Sequence, residues 1–245
     1  MGKPYDILII DDEEVVVNAT IKIMSLEGFT VDSALDAKTG LEKLATQQYR
    51  LLLTDLMLPD MSGYEVITYM KAKGIQIPII LITGYATLDN AVKAMKMGIF
   101  DFIPKPFEIE ELLGVTLRAW RVQADDIPAD PPCPSRRYLG KHAWVDIDSD
   151  GRAHIGAAAL FRKTVGTINH IHFPARGQEV KQGGQCLKFQ TDDTYQHTLW
   201  SPLSGIVIET NHTIQQHPTR LKDENPWLVQ LLPSNMDAEI KHLTL

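Results

Sequence analysis

Short apolar runs alternate with helix-periodic segments through the first 120 residues. Asp6–Ile10 (DILII), Arg50–Thr54 (RLLLT) and Pro78–Ile82 (PIILI) are almost wholly apolar, which predicts strands buried on both faces. Phe29–Ala34 and Phe100–Ile103 read as two more strands. Between them, Glu14–Glu27 sets Val15, Val16, Ala19, Ile23 and Leu26 at helical spacing and stops at Gly28. Asp36 caps a helix running through Leu41 and Leu44. Ser62–Lys73 closes at Gly74, Leu88–Met97 closes at Gly98, and Ile109–Arg121 is the last helix of the series. Five strand–helix pairs in succession predict an α/β fold with a doubly wound, five-stranded parallel sheet.

The pattern then breaks. Gln123–Arg137 (QADDIPADPPCPSRR) crowds Pro128, Pro131, Pro132 and Pro134 together, so an extended linker is expected. Beyond it, Trp144–Ile147, Ala153–Ile155, Thr167–Phe173, Cys186–Thr191, His197–Trp200, Gly205–Glu209 and Leu228–Leu232 read as short strands between Gly and Pro turns. Ala157–Lys163 reads as a short helix. This predicts a second, mostly β domain of sandwich or barrel type. The expected division is 1–122, a linker at 123–137, and 138–245.

Composition narrows the function. Of 245 residues, 44 % are apolar and 22 % charged, enough to build cores and too apolar for wholesale disorder. The net charge of −7, without a basic run, argues against nucleic-acid binding. No apolar stretch reaches membrane-spanning length, no signal peptide precedes the first strand, and two cysteines make no disulfide framework, so a cytoplasmic protein is expected. Residues 1–122 carry 12 basic and 17 acidic side chains, whereas all eight histidines lie at or beyond His142.

In an open parallel sheet, ligands sit at the carboxyl ends of the strands. Asp11 and Asp12 follow the first strand, Asp55 ends the third, Thr83 ends the fourth, and Lys105-Pro106 follows the fifth. Clustered carboxylates repel unless a cation joins them, and a hard divalent ion such as Mg²⁺ suits oxygen donors. Lys105 adds a positive charge and Thr83 a hydroxyl, a set suited to phosphoryl transfer onto Asp55.

Along residues 5–121, the motifs ILIIDDEE, LLLTDLMLPDMSG, LITGYAT and DFIPKPF resemble the receiver domain of two-component response regulators. TGYAT and KAMKMGIFDFIPKPF look closest to receivers of enhancer-binding transcription regulators. The resemblance implies that Asp55 is the phosphoacceptor, that Asp12 binds Mg²⁺ directly with assistance from Asp11, and that the Met57 backbone carbonyl completes the protein's share of the coordination. It implies that Thr83 is the switch hydroxyl, that Lys105 pairs with the phosphoryl group ahead of a cis Pro106, and that Phe102 stands where a mobile aromatic follows Thr83 inward. It also implies a sensor histidine kinase as phosphoryl donor. The face Leu88–Arg121 would carry the readout or a homodimer contact.

From His142 to Ser234 the chain is similar to the glycine cleavage system H protein, a lipoyl carrier of the biotinyl/lipoyl-like fold. The matching segments are HAWV, HIGAAAL, VGTINHIHFP, SPLSGIVIETN and NPWLVQLLPS. The family's lipoyl lysine lies eight residues before a proline that corresponds to Pro202, which falls on Thr194. No lysine occurs in Phe189–Trp200, and Lys188 lies inside the preceding strand, so no lipoate is expected. His170 and His172 share a strand face, and with His197 and His212 they raise a metal site, but scattered histidines on a solvated sheet face are the preferred reading. Trp144, Trp200 and Trp227 are expected as anchors, with Trp200 the one to suspect of touching a partner.

The reading that follows is a response regulator, not an enzyme beyond its own phosphorylation and dephosphorylation, with a carrier fold stripped of its carrier chemistry as a protein-interaction output to an unidentified partner. The alternatives are a phospho-gated lipoyl carrier or modulator of glycine cleavage, and a transcription regulator without a recognisable helix-turn-helix.

Overall fold

The computed structural model describes residues 5–85, 87–122, 130 and 133–244. Most of the expected proline linker, including Pro128, Pro131 and Pro132, lies outside the described residues. Packing divides the chain into two compact units, residues 1–86 with 99–125, and residues 87–98 with 126–245.

The first unit is built on the expected sheet. Strands β1 (Ile7–Ile10), β2 (Val31–Ala34), β3 (Leu51–Thr54), β4 (Ile79–Thr83) and β5 (Asp101–Pro104) lie in the order β2-β1-β3-β4-β5, with every neighbouring pair parallel. All residues of β1, β3 and β4 are buried, as continuous apolar runs covered by helices require. Along the chain, α1 (Glu14–Leu26), α2 (Ala37–Thr46), α3 (Gly63–Ala72), α4 (Leu88–Lys96) and α5 (Ile109–Trp120) follow the strands in turn, α4 falling within the segment 87–98 that packing assigns to the second unit. Asp36 caps α2 through Thr39 N–H at 2.7 Å. The Glu65 carboxylate accepts from Ser62 N–H at 2.8 Å in a capping box that starts α3 just past the Asp55 loop. The Asp60 carboxylate accepts from Ala37 and Lys38 N–H at 2.9 and 2.8 Å, tying that same loop to the start of α2.

The second half is β-rich, as expected, in two sheets. The larger comprises β6 (Arg137–Leu139), β7 (Ala143–Ile147), β8 (Ala153–Ala157), β10 (Glu179–Val180), β13 (Gly205–Thr210) and β14 (Val229–Pro233), ordered β10-β13-β14-β8-β7-β6. The smaller comprises β9 (Ile168–His172), β11 (Gln185–Thr191) and β12 (Gln196–Trp200), ordered β12-β11-β9. Inward residues of both sheets, such as Val145, Ile155, Val207 and Leu231 from one and Ile171, Leu187, Phe189 and Leu199 from the other, share one apolar core. The expected helix after β8 is present as α6 (Ala159–Thr164). Strands β6 and β10 were not anticipated, because two or three residues are too few to show a period. Nor were α7 (His212–Gln216), α8 (Leu221–Glu224) and α9 (Met236–Glu239), although Asn211 caps α7 by accepting from Ile214 N–H at 3.2 Å.

Two features hold this fold at a distance from local sequence signals. Gly156 faces the Trp144 indole so closely that a Cβ there would fall 2.2 Å from the ring. Asp130 accepts from Ala159 N–H at 2.9 Å and from the buried Arg162 guanidinium at 3.2 Å, so a linker acid closes the start of α6.

Candidate functional site

Strand order reverses around β1, and the carboxyl ends of β1 and β3 lie side by side there. Ile10 pairs with Thr54, and Asp55 N–H donates to the Ile10 carbonyl at 2.8 Å. That pairing brings Asp11 and Asp55, 44 positions apart in the chain, to one rim. Asp12 joins them, and one carboxylate oxygen of each of Asp11, Asp12 and Asp55 lies within 4.8 Å of the others. Asp11 and Asp55 are buried and Asp12 is exposed, so the cluster opens to solvent on one side. An all-oxygen set of this size fits a hard divalent cation such as Mg²⁺.

Lys105 closes the other side. Its Nζ lies 2.7 Å from Asp11 Oδ2, 2.8 Å from Asp55 Oδ2 and 2.7 Å from Glu13 Oε1. Burial pushes the ammonium pKa down, but hydrogen bonds to Asp11, Asp55 and Glu13 together push it up further, so Lys105 stays charged. Burial raises the Asp11 pKa, and the hydrogen bond from Lys105 only partly offsets it. The Lys105–Pro106 peptide is cis, as the motif implies. Asp55 Oδ1 accepts from Met57 N–H at 2.9 Å, leaving one oxygen held by backbone and the other by the lysine.

Thr83 is fully buried at the end of β4, and its Oγ1 accepts from Tyr85 N–H at 3.1 Å. Its carbonyl accepts from Lys105 N–H at 2.9 Å, which joins the hydroxyl and the lysine through the backbone. Phe102 is buried within β5. The fold thus gathers Asp11, Asp12, Asp55, Met57 and Lys105 at one rim, with Thr83 at the neighbouring strand end and Phe102 in the core beside it. Glu13 was missed as a third carboxylate on Lys105; the acidic run Asp11–Glu14 was its only signal.

In the second half, Thr194 stands at the tip between β11 and β12, exposed, with φ of 67° and its N–H donating to the Thr191 carbonyl at 2.9 Å. Asp192 and Asp193 are exposed beside it. Lys188 pairs with Thr198 and His172 inside β11, well back from the tip. The histidines do not gather as a set of four. His197 is buried on the core face opposite Phe189, and His212 opens α7, while His170 and His172 alone share an exposed face. Trp200 is buried rather than presented to a partner, because it closes β12 against the interior.

Comparison with known proteins agrees with this geometry. A family model described as the response regulator receiver domain matches residues 7–116, and one described as the glycine cleavage H-protein matches residues 136–244. The response regulator protein PilR of Pseudomonas aeruginosa is 36 % identical over 150 residues, covering 56 % of this chain and 33 % of its own length. The regulatory protein AtoC of Escherichia coli is 34 % identical over 118 residues, covering 48 % of this chain and 26 % of its own length. The chain therefore spans about a third or less of these two relatives. The crystal structure of the NtrX receiver domain from Brucella abortus is 31 % identical, covers 48 % of this chain and all of that one, and superposes with a TM-score of 0.46. Residues 7–116 are a response regulator receiver domain, and residues 136–244 are a glycine cleavage H-protein domain.

Proposed function

We propose that the protein is a phosphorylation-dependent response regulator whose Asp55 accepts a phosphoryl group from a sensor histidine kinase. The observation that carries this reading is the cluster of Asp11, Asp12 and Asp55 with Lys105 bonded across it. An Asp55 carboxylate oxygen attacks phosphorus on a phosphohistidine, the new O–P bond forms as the P–N bond breaks, and the imidazole nitrogen leaves with the electron pair. Lys105 releases one of its carboxylate contacts to meet the incoming phosphoryl oxygens, and the Thr83 hydroxyl donates to another. Mg²⁺ held by Asp11, Asp12, Asp55 and the Met57 carbonyl would supply further neutralisation of the transferred charge. The protein promotes only its own phosphorylation and dephosphorylation.

The H-protein domain acts as a protein-interaction output without lipoate. Thr194 at the hairpin tip supports this, since an amide-linked lipoyl group needs an amine and the tip offers hydroxyl and carboxylates. Phosphorylation by a kinase or acetyl phosphate, followed by gel retardation of the phosphoprotein, tests the first half. Equal labelling of Asp55→Ala and wild type would end it. Intact mass after expression with lipoate and a lipoate ligase tests the second, and a lipoyl adduct on any residue of the domain would overturn it.

A further inference from the structure

His170 and His172 stand apart from the phosphoryl site and from the hairpin tip. Strand β9 alternates so that Ile171 points into the core while His170 and His172 face solvent. Their rings meet edge to face, with centroids 4.4 Å apart and planes at 71°. Gln190 lies opposite His170 and Lys188 opposite His172 on β11.

We propose that His170 and His172 form a two-imidazole binding site for a divalent copper ion. Spacing carries the argument. A metal–nitrogen bond of about 2.0 Å places the metal about 3.1 Å from a ring centre, so cis ligands at 90° put two centroids about 4.4 Å apart and tetrahedral ones about 5.1 Å. The observed separation fits the cis positions of a tetragonal ion, which nitrogen and oxygen ligands give to Cu²⁺ and, more weakly, Ni²⁺. The strand fixes the Cβ positions, and a turn about the broad sp³–sp² torsion of each ring brings both nitrogens to one point. Gln190, opposite His170 on β11, carries a side-chain carbonyl that can serve as an oxygen donor, and the remaining positions stay open to water. Lys188 is a flexible, strongly hydrated ammonium that swings clear of a bound cation.

The test uses the full chain with Mg²⁺ in excess, so that the acidic pocket is filled, and titrates Cu²⁺ by calorimetry and electron paramagnetic resonance. One copper ion with an axial spectrum and hyperfine splitting from two nitrogens is expected. His170→Ala and His172→Ala should each weaken binding by about tenfold or more, because each removes the chelate. Lys188→Ala should keep the two-nitrogen spectrum. Both histidines are exposed, so the variants should unfold at the wild-type temperature, which circular dichroism checks. Wild-type affinity and splitting in the double histidine variant would place the copper elsewhere and overturn the proposal, as would a tetrahedral rather than axial spectrum.

Discussion

Gly63, the first residue of α3, packs directly on the phosphoacceptor's backbone. A Cβ at this position would fall 2.3 Å from the Asp55 carbonyl oxygen and 3.1 Å from the Leu56 Cα. That is about 1 Å short of ordinary contact, and both obstructing atoms are backbone, so neither rotates away. Gly63 N–H also donates to the Leu56 carbonyl at 2.8 Å, so the helix start cannot simply lift off. Gly63→Ala should therefore cost about 1–3 kcal/mol of stability, against about 1 kcal/mol that alanine returns in helix propensity. The larger effect should fall on chemistry. Displacing Asp55 by about 1 Å from Lys105 and the metal position should slow phosphorylation by about 100-fold.

Gly40→Ala supplies the control. Its Cβ would meet Ile10 Cδ1 at 2.3 Å and Cγ1 at 2.8 Å, but both are side-chain atoms, so the clash falls on the Ile10 rotamer rather than on the backbone of β1. Phosphorylation by acetyl phosphate should then proceed within a few-fold of wild type. Initial rates on phosphate-affinity gels and thermal melts of all three proteins decide the matter. If Gly63→Ala labels as fast as Gly40→Ala, close packing of α3 does not set the position of Asp55.

Three further outcomes are expected. Burial pushes the Cys186 thiol up to about 12, whereas a Ser135 hydrogen bond lowers that of half-buried Cys133, so a disulfide reagent at pH 8 should label one thiol in the native protein and two in urea. Burial raises the Asp32 pKa, but hydrogen bonds from Lys43 and Tyr49 lower it more; its folded value lies below the unfolded one, so its contribution is present above about pH 4 and lost as pH falls through the folded value. Asp32→Asn should thus cost about 1 kcal/mol at pH 7 by urea unfolding, with the deficit closing toward pH 2. Arg118 and Asp101 form an ion pair at 2.9 Å, both almost fully buried; Arg118→Met should cost about 3–5 kcal/mol, and adding Asp101→Asn should recover part of it.

The receiver was legible because its signals are local. A strand buried on both faces is a continuous apolar run, and a residue placed after such a run lands on the rim, so Asp11, Asp55, Thr83 and Lys105 could be grouped from sequence alone. Glu13 escaped because the chain says only that it is acidic; that it turns back onto Lys105 depends on the entry to α1. In the second half the decisive contacts are remote. The Glu239 carboxylate accepts from Ser204 N–H at 2.7 Å and from its hydroxyl at 2.6 Å, closing the turn after β12 from the far end of the chain. Neither residue carries a period or a cap signal that announces this.

The histidines show where composition stops and register begins. Their confinement beyond His142 marks the domain change but treats eight imidazoles alike. Sheet pairing separates them. His197 aligns with Phe189 and is buried, His154 Nε2 lies 3.0 Å from the Asp148 carboxylate and 3.2 Å from the Gln230 amide on the other sheet, and His170 and His172 are left facing solvent together. A slip of one residue in β9 would turn both rings into the core and Ile171 out. The buried Ile171 opposite Phe189 is what fixes that register. Replacing Ile171 with a smaller, polar β-branched residue should therefore weaken copper binding without touching either ligand, because the strand would lose the contact that keeps both imidazoles on the solvent face. Cu²⁺ titration of Ile171→Thr beside His212→Ala reads this directly: the first should lose affinity and the second, an exposed histidine on α7, should keep it.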